Sequence, residues 1–381
     1  MATQKPAPLL RAPKRILVIA DPNSPLARER GLVGQTGGHD IYWYSISKAD
    51  LQGIAGAMAL PRVPTLFIPL LSPLYLSRAI GRVQPDLIHV HCASQNWNNL
   101  ILVRFKPLVV TVMGGDILPD MSYRGIRSVW LTQKLLDHAD VITSKSSFLD
   151  DALNRIGNYA HKIRRVTWGV DTHQFKPGLD VNHLREQWGI QPDDFVLFCP
   201  RICQPFYNKH LVIQAFAKYI RETESQAKLL IAELFADGVY RRQLGELVKE
   251  LNLTRYVRFV GSIPHREMPA YFNLAHVMIS VPPSDGMPQS LYEAMACGSY
   301  PILGKLPQYQ ELIQDGVNGW LISVGSVSAL AEAMKWTAAN WEHLQEAARI
   351  NREHIVKIAD KAIQDRLVTA IYDELLEKYA E

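Results

Sequence analysis

The stretch PPSDGMPQSLYEAMACGSYP, Pro282–Pro301, carries two acidic residues, Asp285 and Glu293, eight positions apart around a glycine–proline turn. The apolar run AHVMISV at residues 275–281 precedes it and favours a β-strand. After the turn, apolar residues recur every three to four positions, which indicates a helix. Because ligands bind at the carboxyl ends of strands in open parallel sheets, this order of strand, loop and helix predicts a ligand site.

The turn itself has the residues of an anion-binding helix start. We expect Pro288 at the first helical position, where its missing N–H group costs no hydrogen bond. The N–H groups of Gln289 and Ser290 would then be free to meet an anion, and Gly286 and Met287 would complete the cradle.

The composition indicates a globular protein of 381 residues, with 48% hydrophobic and 20% charged residues. A chain of this length favours two domains. No run reaches the roughly 18 to 20 apolar residues of a membrane-spanning helix. The start of the chain has no signal-peptide pattern, and the four cysteines lack paired spacing, so we expect a cytoplasmic protein.

The positive charge is concentrated in the first half of the chain. Residues up to Val170 include 20 Lys and Arg against 11 Asp and Glu, and the remainder includes 21 against 26. A basic surface can meet anionic lipid, an anionic acceptor or nucleic acid, or it can simply be solvated. No RRM, zinc-finger or helix-turn-helix pattern supports nucleic acid.

Val63–Leu76, VPTLFIPLLSPLYL, is the most apolar segment. Its three prolines predict that it is not one continuous helix. It is either a loop and helix start packed in the N-terminal domain, or an interfacial patch that holds the protein on a bilayer beside a lipid-linked acceptor.

Short β-branched runs alternate with helical patterns in two successive series, which predicts two Rossmann-like domains of α/β class. The predicted strands of the first series are residues 15–20, 40–44, 87–91, 108–113, 141–144 and 164–168. Those of the second are residues 195–200, 227–232, 257–260, 275–281 and 300–303. The pattern of residues from 327 onward predicts helix almost throughout.

The domain boundaries follow from this alternation. We expect a disordered lead at residues 1–12, an N-terminal domain at 13–175 and a C-terminal domain at 176–360. The helical pattern at residues 361–381 predicts a final helix that could pack on either domain, and we expect it to pack back on the N-terminal domain.

Four segments resemble the retaining glycosyltransferases of family 4, which have the GT-B fold of two Rossmann-like domains facing across a cleft. In the family's order they are GVDTHQFKP at 169–177, FCPRICQPFYNKH at 198–210, the stretch at 261–298 and QELIQDGVNGWLI at 310–322. The pair Asp285 and Glu293 matches the family's E-x7-E signature, with Asp in the first place.

The resemblance implies a nucleotide-sugar donor, with UDP the commonest choice, held mainly by the C-terminal domain. Arg201 and Lys209 match the family's basic positions and would face the diphosphate without a metal ion or other cofactor. Glu293 corresponds to the carboxylate that accepts hydrogen bonds from the ribose, and Asp285 would face the sugar. Arg201, Lys209 and Asp285 are thus the candidate catalytic residues.

The N-terminal half departs from the family pattern. Met113 stands where the family often has a histidine near the donor sugar. Gly114, Gly115 and Asp116 of the same loop, with His91 at the end of a predicted strand, are the candidates on the acceptor side.

The resemblance implies transfer with retention to a hydroxyl acceptor such as a glycolipid, a polysaccharide or a small molecule, as in polysaccharide biosynthesis. The protein would be free in the cytoplasm or held peripherally at the inner face of the membrane. Two alternatives stay open: a sugar-nucleotide epimerase on the same fold, and a catalytically weak protein that only binds sugar nucleotides.

Overall fold

The computed structural model describes residues 12–22, 25–45, 54, 56–59, 67–118 and 126–380. It contains two separate parallel sheets with alternating helices, which confirms the predicted architecture. The disordered lead predicted at residues 1–12 lies outside the described residues, apart from Ala12.

The N-terminal sheet has seven parallel strands in the order β3-β2-β1-β4-β5-β6-β7. Its central strands are apolar and buried, as expected for a parallel sheet with helices on both faces. The strands are β1 Arg15–Ile19, β2 Asp40–Ser45, β3 Met58–Ala59, β4 Leu87–His91, β5 Leu108–Thr111, β6 Val141–Ser144 and β7 Ile163–Arg165. The helices are α1 Pro25–Gly31, α2 Ile68–Val83, α3 Asn99–Leu102, α4 Ile126–His138 and α5 Ser147–Ile156.

The C-terminal sheet has six parallel strands in the order β10-β9-β8-β11-β12-β13. The strands are β8 Val196–Cys199, β9 Lys228–Ile231, β10 Val257–Phe259, β11 Val277–Ser280, β12 Tyr300–Gly304 and β13 Trp320–Ile322. The helices are α6 Asn182–Trp188, α7 Lys209–Thr223, α8 Gly238–Glu250, α9 Met268–Leu274, α10 Gln289–Cys297, α11 Val327–Ala339, α12 Trp341–Ala359 and α13 Lys361–Lys378.

Strand order reverses once in each sheet, between β1 and β4 and between β8 and β11. At such a switch point the connections leave in opposite directions, and a crevice opens beyond the carboxyl ends of the two strands. Arg201 follows β8 and Asp285 follows β11, so the fold itself brings these two loops together.

The last helix, α13, packs against the N-terminal sheet. Val368, Ile371 and Tyr372 on this helix are buried among side chains of β1, β2 and β4. The Tyr372 hydroxyl forms a 2.6 Å hydrogen bond with Nδ1 of His89, on the central strand β4. The end of the chain therefore completes the core of its first half.

The end of the segment Val63–Leu76 belongs to the helix α2. This helix begins at Ile68 and runs unbroken to Val83, although Pro73 lies inside it, and the prediction that the whole segment is not one continuous helix stays a prediction. Pro69 occupies the first turn, where a proline is tolerated, whereas Pro73 lies inside the helix and lacks the N–H group that would have donated to the preceding turn. Residues 63–66 lie outside the described residues.

Two short strands were not predicted, and one strand was displaced. β3 has two residues and β13 has three, which is too short to show a periodic pattern. The last strand of the first series ends at Arg165 rather than Trp168.

In the part of the chain that the structure describes, no helix is both long and apolar enough to cross a bilayer.

Replacing Tyr372 with Phe tests the contact between α13 and the N-terminal sheet. The change leaves Nδ1 of a buried histidine without its partner, so we expect a loss of about 1–3 kcal/mol in the free energy of unfolding. Urea denaturation followed by circular dichroism measures this loss.

The matched control is Tyr42→Phe. Tyr42 on β2 is only partly buried, and its hydroxyl has no hydrogen bond among the described residues. We expect this change to stay within about 0.5 kcal/mol of the unchanged protein. Equal losses for the two variants would contradict the role given to Tyr372.

Candidate active site in the cleft between the two sheets

The loops at the carboxyl ends of the two sheets touch each other through backbone atoms. A methyl group added at Gly286 would lie 2.7 Å from the Met113 carbonyl oxygen and 3.1 Å from the Cα atom of Gly114. No side chain fits at Gly286, because a Cβ atom is not tolerated that close to backbone. The glycines predicted on the two sides of the cleft therefore meet each other.

An ion pair between Arg201 and Asp285 lies at the centre of this crevice. Nη1 of Arg201 is 2.6 Å from Oδ2 of Asp285, and both side chains are largely buried. The Tyr309 hydroxyl donates to the same oxygen at 3.1 Å, and the Gly286 N–H group donates to Oδ1 at 2.7 Å. These partners hold the Asp285 carboxylate in one orientation.

Charge and stacking both stabilise the guanidinium of Arg201. Burial favours a lower pKa for Arg201, but the Asp285 charge, together with Tyr309 and Tyr207, outweighs burial and raises that pKa above its ordinary value. The guanidinium also lies 4.8 Å from the centre of the Tyr207 ring, which is a cation–π contact. Arg201 is therefore a permanent cation in the crevice.

The turn before α10 differs from the prediction in the place where the helix begins. Pro288 has extended backbone (φ −76°, ψ 139°) and caps the helix, which begins at Gln289 rather than at Pro288. Met287 is 1% exposed and adopts a positive φ of 70°, which turns the chain sharply into the helix. The helix start still lies beside Asp285, as the sequence predicted.

Glu293 lies one helical turn further along α10 and lines a cavity of about 140 Å³. Residues from both domains form the walls, among them Glu29, Arg30, Trp168, His265 and Gln289. The side chain of Glu293 is almost fully buried, and its Oε1 atom lies 2.8 Å from Nε2 of His265. The cavity thus has a polar group fixed in its wall.

The structure does not bring Lys209 into the crevice. Its side chain is completely buried, and its ammonium group donates to the carbonyl oxygens of Cys199, at 3.2 Å, and Ala232, at 2.9 Å. Sγ of Cys199 lies 3.8 Å from the same nitrogen. Burial lowers the pKa of Lys209. Lys209 therefore holds together the ends of β8 and β9 and has no donor left for a ligand.

Asp116 organises the N-terminal loop instead of facing the crevice with a free carboxylate. Its Oδ1 atom accepts hydrogen bonds from the N–H groups of Met113, at 2.8 Å, and Gly114, at 2.9 Å. Its Oδ2 atom accepts one from the N–H group of Ala93 at 2.7 Å. These bonds shape the 113–116 loop and fix it to the segment that follows β4.

His91 is buried and neutral. Burial, with a smaller contribution from Arg30, lowers the pKa of His91 to about 3. Neither ring nitrogen has a hydrogen-bond partner among the described residues. The ring packs edge-on against His89, at 4.5 Å between centroids, and against Trp168, at 5.7 Å.

Three polar residues of the site were not predicted from the sequence, namely Lys145, His265 and Tyr309. Nζ of Lys145, just after β6, donates to the Met287 carbonyl oxygen at 3.2 Å and so crosses the cleft. Its place at the carboxyl end of a strand was the available signal. His265 likewise lies in the segment that follows a strand, β10. Nothing in the local sequence indicated that Tyr309 belongs to the site.

Lys145 is a second basic residue in the crevice. Burial lowers its pKa, while the charges of Asp285 and Asp116 act in the opposite direction.

Among the described residues, no three His, Cys, Asp or Glu side chains come together as a metal-binding group.

Two family descriptions match adjoining parts of the chain. "Glycosyltransferase Family 4" matches residues 35–174, and "Glycosyl transferases group 1" matches residues 180–354. The second match includes Arg201, Asp285 and Glu293.

The curated relatives share only 25% to 28% of their residues with this chain over the aligned stretches. The chain is 26% identical to the N-acetyl-alpha-D-glucosaminyl L-malate synthase of Bacillus anthracis over 79% of its own length and 78% of that protein. It is 28% identical to the putative glycosyltransferase EpsD of Bacillus subtilis over a stretch that is 48% of this chain and 46% of EpsD. It is also 25% identical to the alpha-monoglucosyldiacylglycerol synthase of Streptococcus pneumoniae, over 65% of this chain and 57% of that protein.

Solved structures show the same fold. HepE of Anabaena, crystallised with UDP and glucose, superposes with a TM-score of 0.80 at 18% identity over 95% of this chain and all of HepE. The sucrose-phosphate synthase of Thermosynechococcus elongatus superposes with a TM-score of 0.79 at 18% identity, over 96% of this chain and all of that one. This likeness shows the GT-B fold, and the two family matches show that the chain belongs to the group 1 glycosyltransferases.

Proposed function

We propose that the protein is a retaining glycosyltransferase that moves a sugar from a UDP-sugar to a hydroxyl group of its acceptor. The observation that carries this proposal is the arrangement around the start of α10. Asp285, paired with Arg201, lies before the helix, and Glu293 lies one turn into it beside a cavity shared by both domains.

The charges of the site match the parts of a nucleotide sugar. A diphosphate leaving group needs positive charge, and Arg201, Lys145 and the N–H groups at the start of α10 can supply it. Glu293 can accept hydrogen bonds from ribose hydroxyls, and Asp285 can accept them from the sugar. HepE, crystallised with UDP and glucose, supports UDP as the nucleotide.

Retention fits a site that acts by positioning its substrates and stabilising the charge of the leaving group. In the proposed step, the bond between the sugar C1 atom and the phosphate oxygen breaks, and the acceptor oxygen forms a bond to C1 on the same face. The acceptor proton moves to the departing phosphate oxygen. The role of Arg201 and Lys145 is to stabilise the charge that develops on the diphosphate.

The division of roles between the two carboxylates is testable. We expect Asp285→Asn to lower turnover about a hundredfold or more while the Kd of UDP changes less than about threefold, because Asp285 faces the sugar and the asparagine amide oxygen can still accept a hydrogen bond from Arg201. We expect Glu293→Gln to weaken UDP binding about tenfold, because the ribose loses a charged acceptor. Calorimetry with UDP and a transfer assay measure the two quantities.

Glu332→Gln is the control for both substitutions, because Glu332 is exposed on α11, away from the cleft. The opposite result, lost UDP affinity in Asp285→Asn, would move this residue out of the sugar subsite. Tight UDP binding with no transfer from any donor would favour a protein that only binds nucleotides. Conversion of the donor to an epimer would identify an epimerase.

Metal independence is part of the same proposal, since the basic groups of Arg201 and Lys145 can supply positive charge at the diphosphate side. We expect EDTA to leave the transfer rate unchanged, in an assay of the purified protein with and without added Mg²⁺. Loss of activity on chelation, restored by the metal ion, would overturn this part.

An apolar surface on the N-terminal domain supports a lipid-linked acceptor. We define the apolar rim as Phe67, Leu70, Leu74, Trp97 and Trp130, which are 41% to 76% exposed. The helices α2 and α4 both lead into strands of a parallel sheet, so their starts lie at its carboxyl edge, beside the cleft. Trp97 lies in the segment that leaves β4 at the same edge.

Basic residues accompany the apolar rim. Arg78 and Arg82 continue the line of Leu74 along α2 at helical spacing, and both are exposed. Lys134 lies 4.7 Å from the ring of Trp130. Apolar side chains beside exposed cations match a bilayer with anionic headgroups. We propose that this surface holds the enzyme on the membrane.

Vesicle binding tests this surface. We expect the protein to sediment with phosphatidylglycerol vesicles, and the double variant Leu70→Ser, Leu74→Ser to bind at least about fivefold more weakly because it buries less apolar area. Thermal stability should hold, since both side chains are exposed. Val239→Ser, at an exposed valine on α8, is the control. Equal binding of the double variant and the control would contradict the proposal.

A further inference from the structure

His265 lies between two carboxylates that come from different domains. It begins the short helical turn His265–Glu267 after β10, and its ring packs 5.3 Å from the ring of Phe175. Nε2 lies 2.8 Å from Oε1 of Glu293 on α10, and Nδ1 lies 3.7 Å from Oε1 of Glu29 on α1. All three side chains line the same cavity.

The ring of His265 is charged at neutral pH. Burial favours a lower pKa, but the contacts with Glu29 and Glu293 outweigh burial and raise the pKa of His265 to about 10. A buried carboxylate such as Glu293 needs a partner of this kind, because an unpaired charge is costly in the interior.

The contact also leaves one oxygen of Glu293 available. His265 is hydrogen-bonded to Oε1 of Glu293. Oε2 accepts no hydrogen bond from any residue that the structure describes. A carboxylate fixed through one oxygen presents the other in a defined direction. A carboxylate that is not held in place would lose side-chain freedom when a ligand binds, and this loss would cost free energy.

We propose that His265 is a positioning residue for the ribose of the donor nucleotide, holding the Glu293 carboxylate so that its second oxygen meets a ribose hydroxyl. This inference rests on the proposed function, in which Glu293 binds the ribose. Glu29 brings the N-terminal domain to the same ring, so the arrangement is complete only when the two domains are closed.

A purely structural ion pair predicts a different result from a positioning residue. If His265 only stabilises the fold, its loss weakens UDP and 2′-deoxy-UDP binding by the same factor. If it aims Glu293 at the ribose, its loss removes the advantage of UDP over the deoxynucleotide. The ratio of the two dissociation constants separates these cases.

The experiment is calorimetric titration of the full chain with UDP and with 2′-deoxy-UDP. In the unchanged protein we expect the deoxynucleotide to bind about tenfold more weakly or worse, because a hydrogen bond to a charged group is lost. In His265→Ala the ratio should fall below about threefold. His265→Gln, whose amide can still donate to Glu293, should give an intermediate ratio.

His183→Ala is the matched control, since His183 is exposed on α6 and lies outside the cavity wall. It should keep the ratio of the unchanged protein. A His265→Ala variant that binds UDP and keeps the full ratio would overturn the positioning role alone. If the unchanged protein binds no UDP, it is the proposed function that fails.

Discussion

The ion pair between Arg201 and Asp285 is the interaction on which the rest of the site depends. Its two residues follow β8 and β11, which are neighbours at the switch point of the C-terminal sheet. A buried carboxylate is tolerated only where partners satisfy it, and here Arg201, Tyr309 and a backbone N–H group do so. The start of α10 is thereby fixed beside a permanent positive charge.

Contacts between the domains complete the crevice. Lys145 reaches across to the Met287 carbonyl oxygen, and Glu311 accepts a 2.6 Å hydrogen bond from the Ser147 hydroxyl. His265 joins carboxylates from both sides. The helix α13 returns from the C-terminal domain to pack on the N-terminal sheet. The cleft is therefore held closed by polar contacts at its floor and by an apolar contact behind it.

Local pattern was sufficient to predict much of the fold and part of the site. The alternation of strands and helices, and the places of Asp285 and Glu293 around the start of α10, depend on residues close in sequence. The burial of Lys209 could not be predicted in this way, because its acceptors lie on β8 and β9 and only the folded sheet brings them to one ammonium group. The pairing of His265 with Glu293 likewise joins separate elements.

A crystal structure of the protein with UDP would show directly whether the start of α10 binds the nucleotide. We expect the diphosphate to lie against Arg201 and the N–H groups of Gln289 and Ser290. We also expect a ribose hydroxyl within about 2.5–3.2 Å of the Glu293 carboxylate. A nucleotide bound elsewhere, or one whose ribose points away from Glu293, would contradict the roles given to these residues.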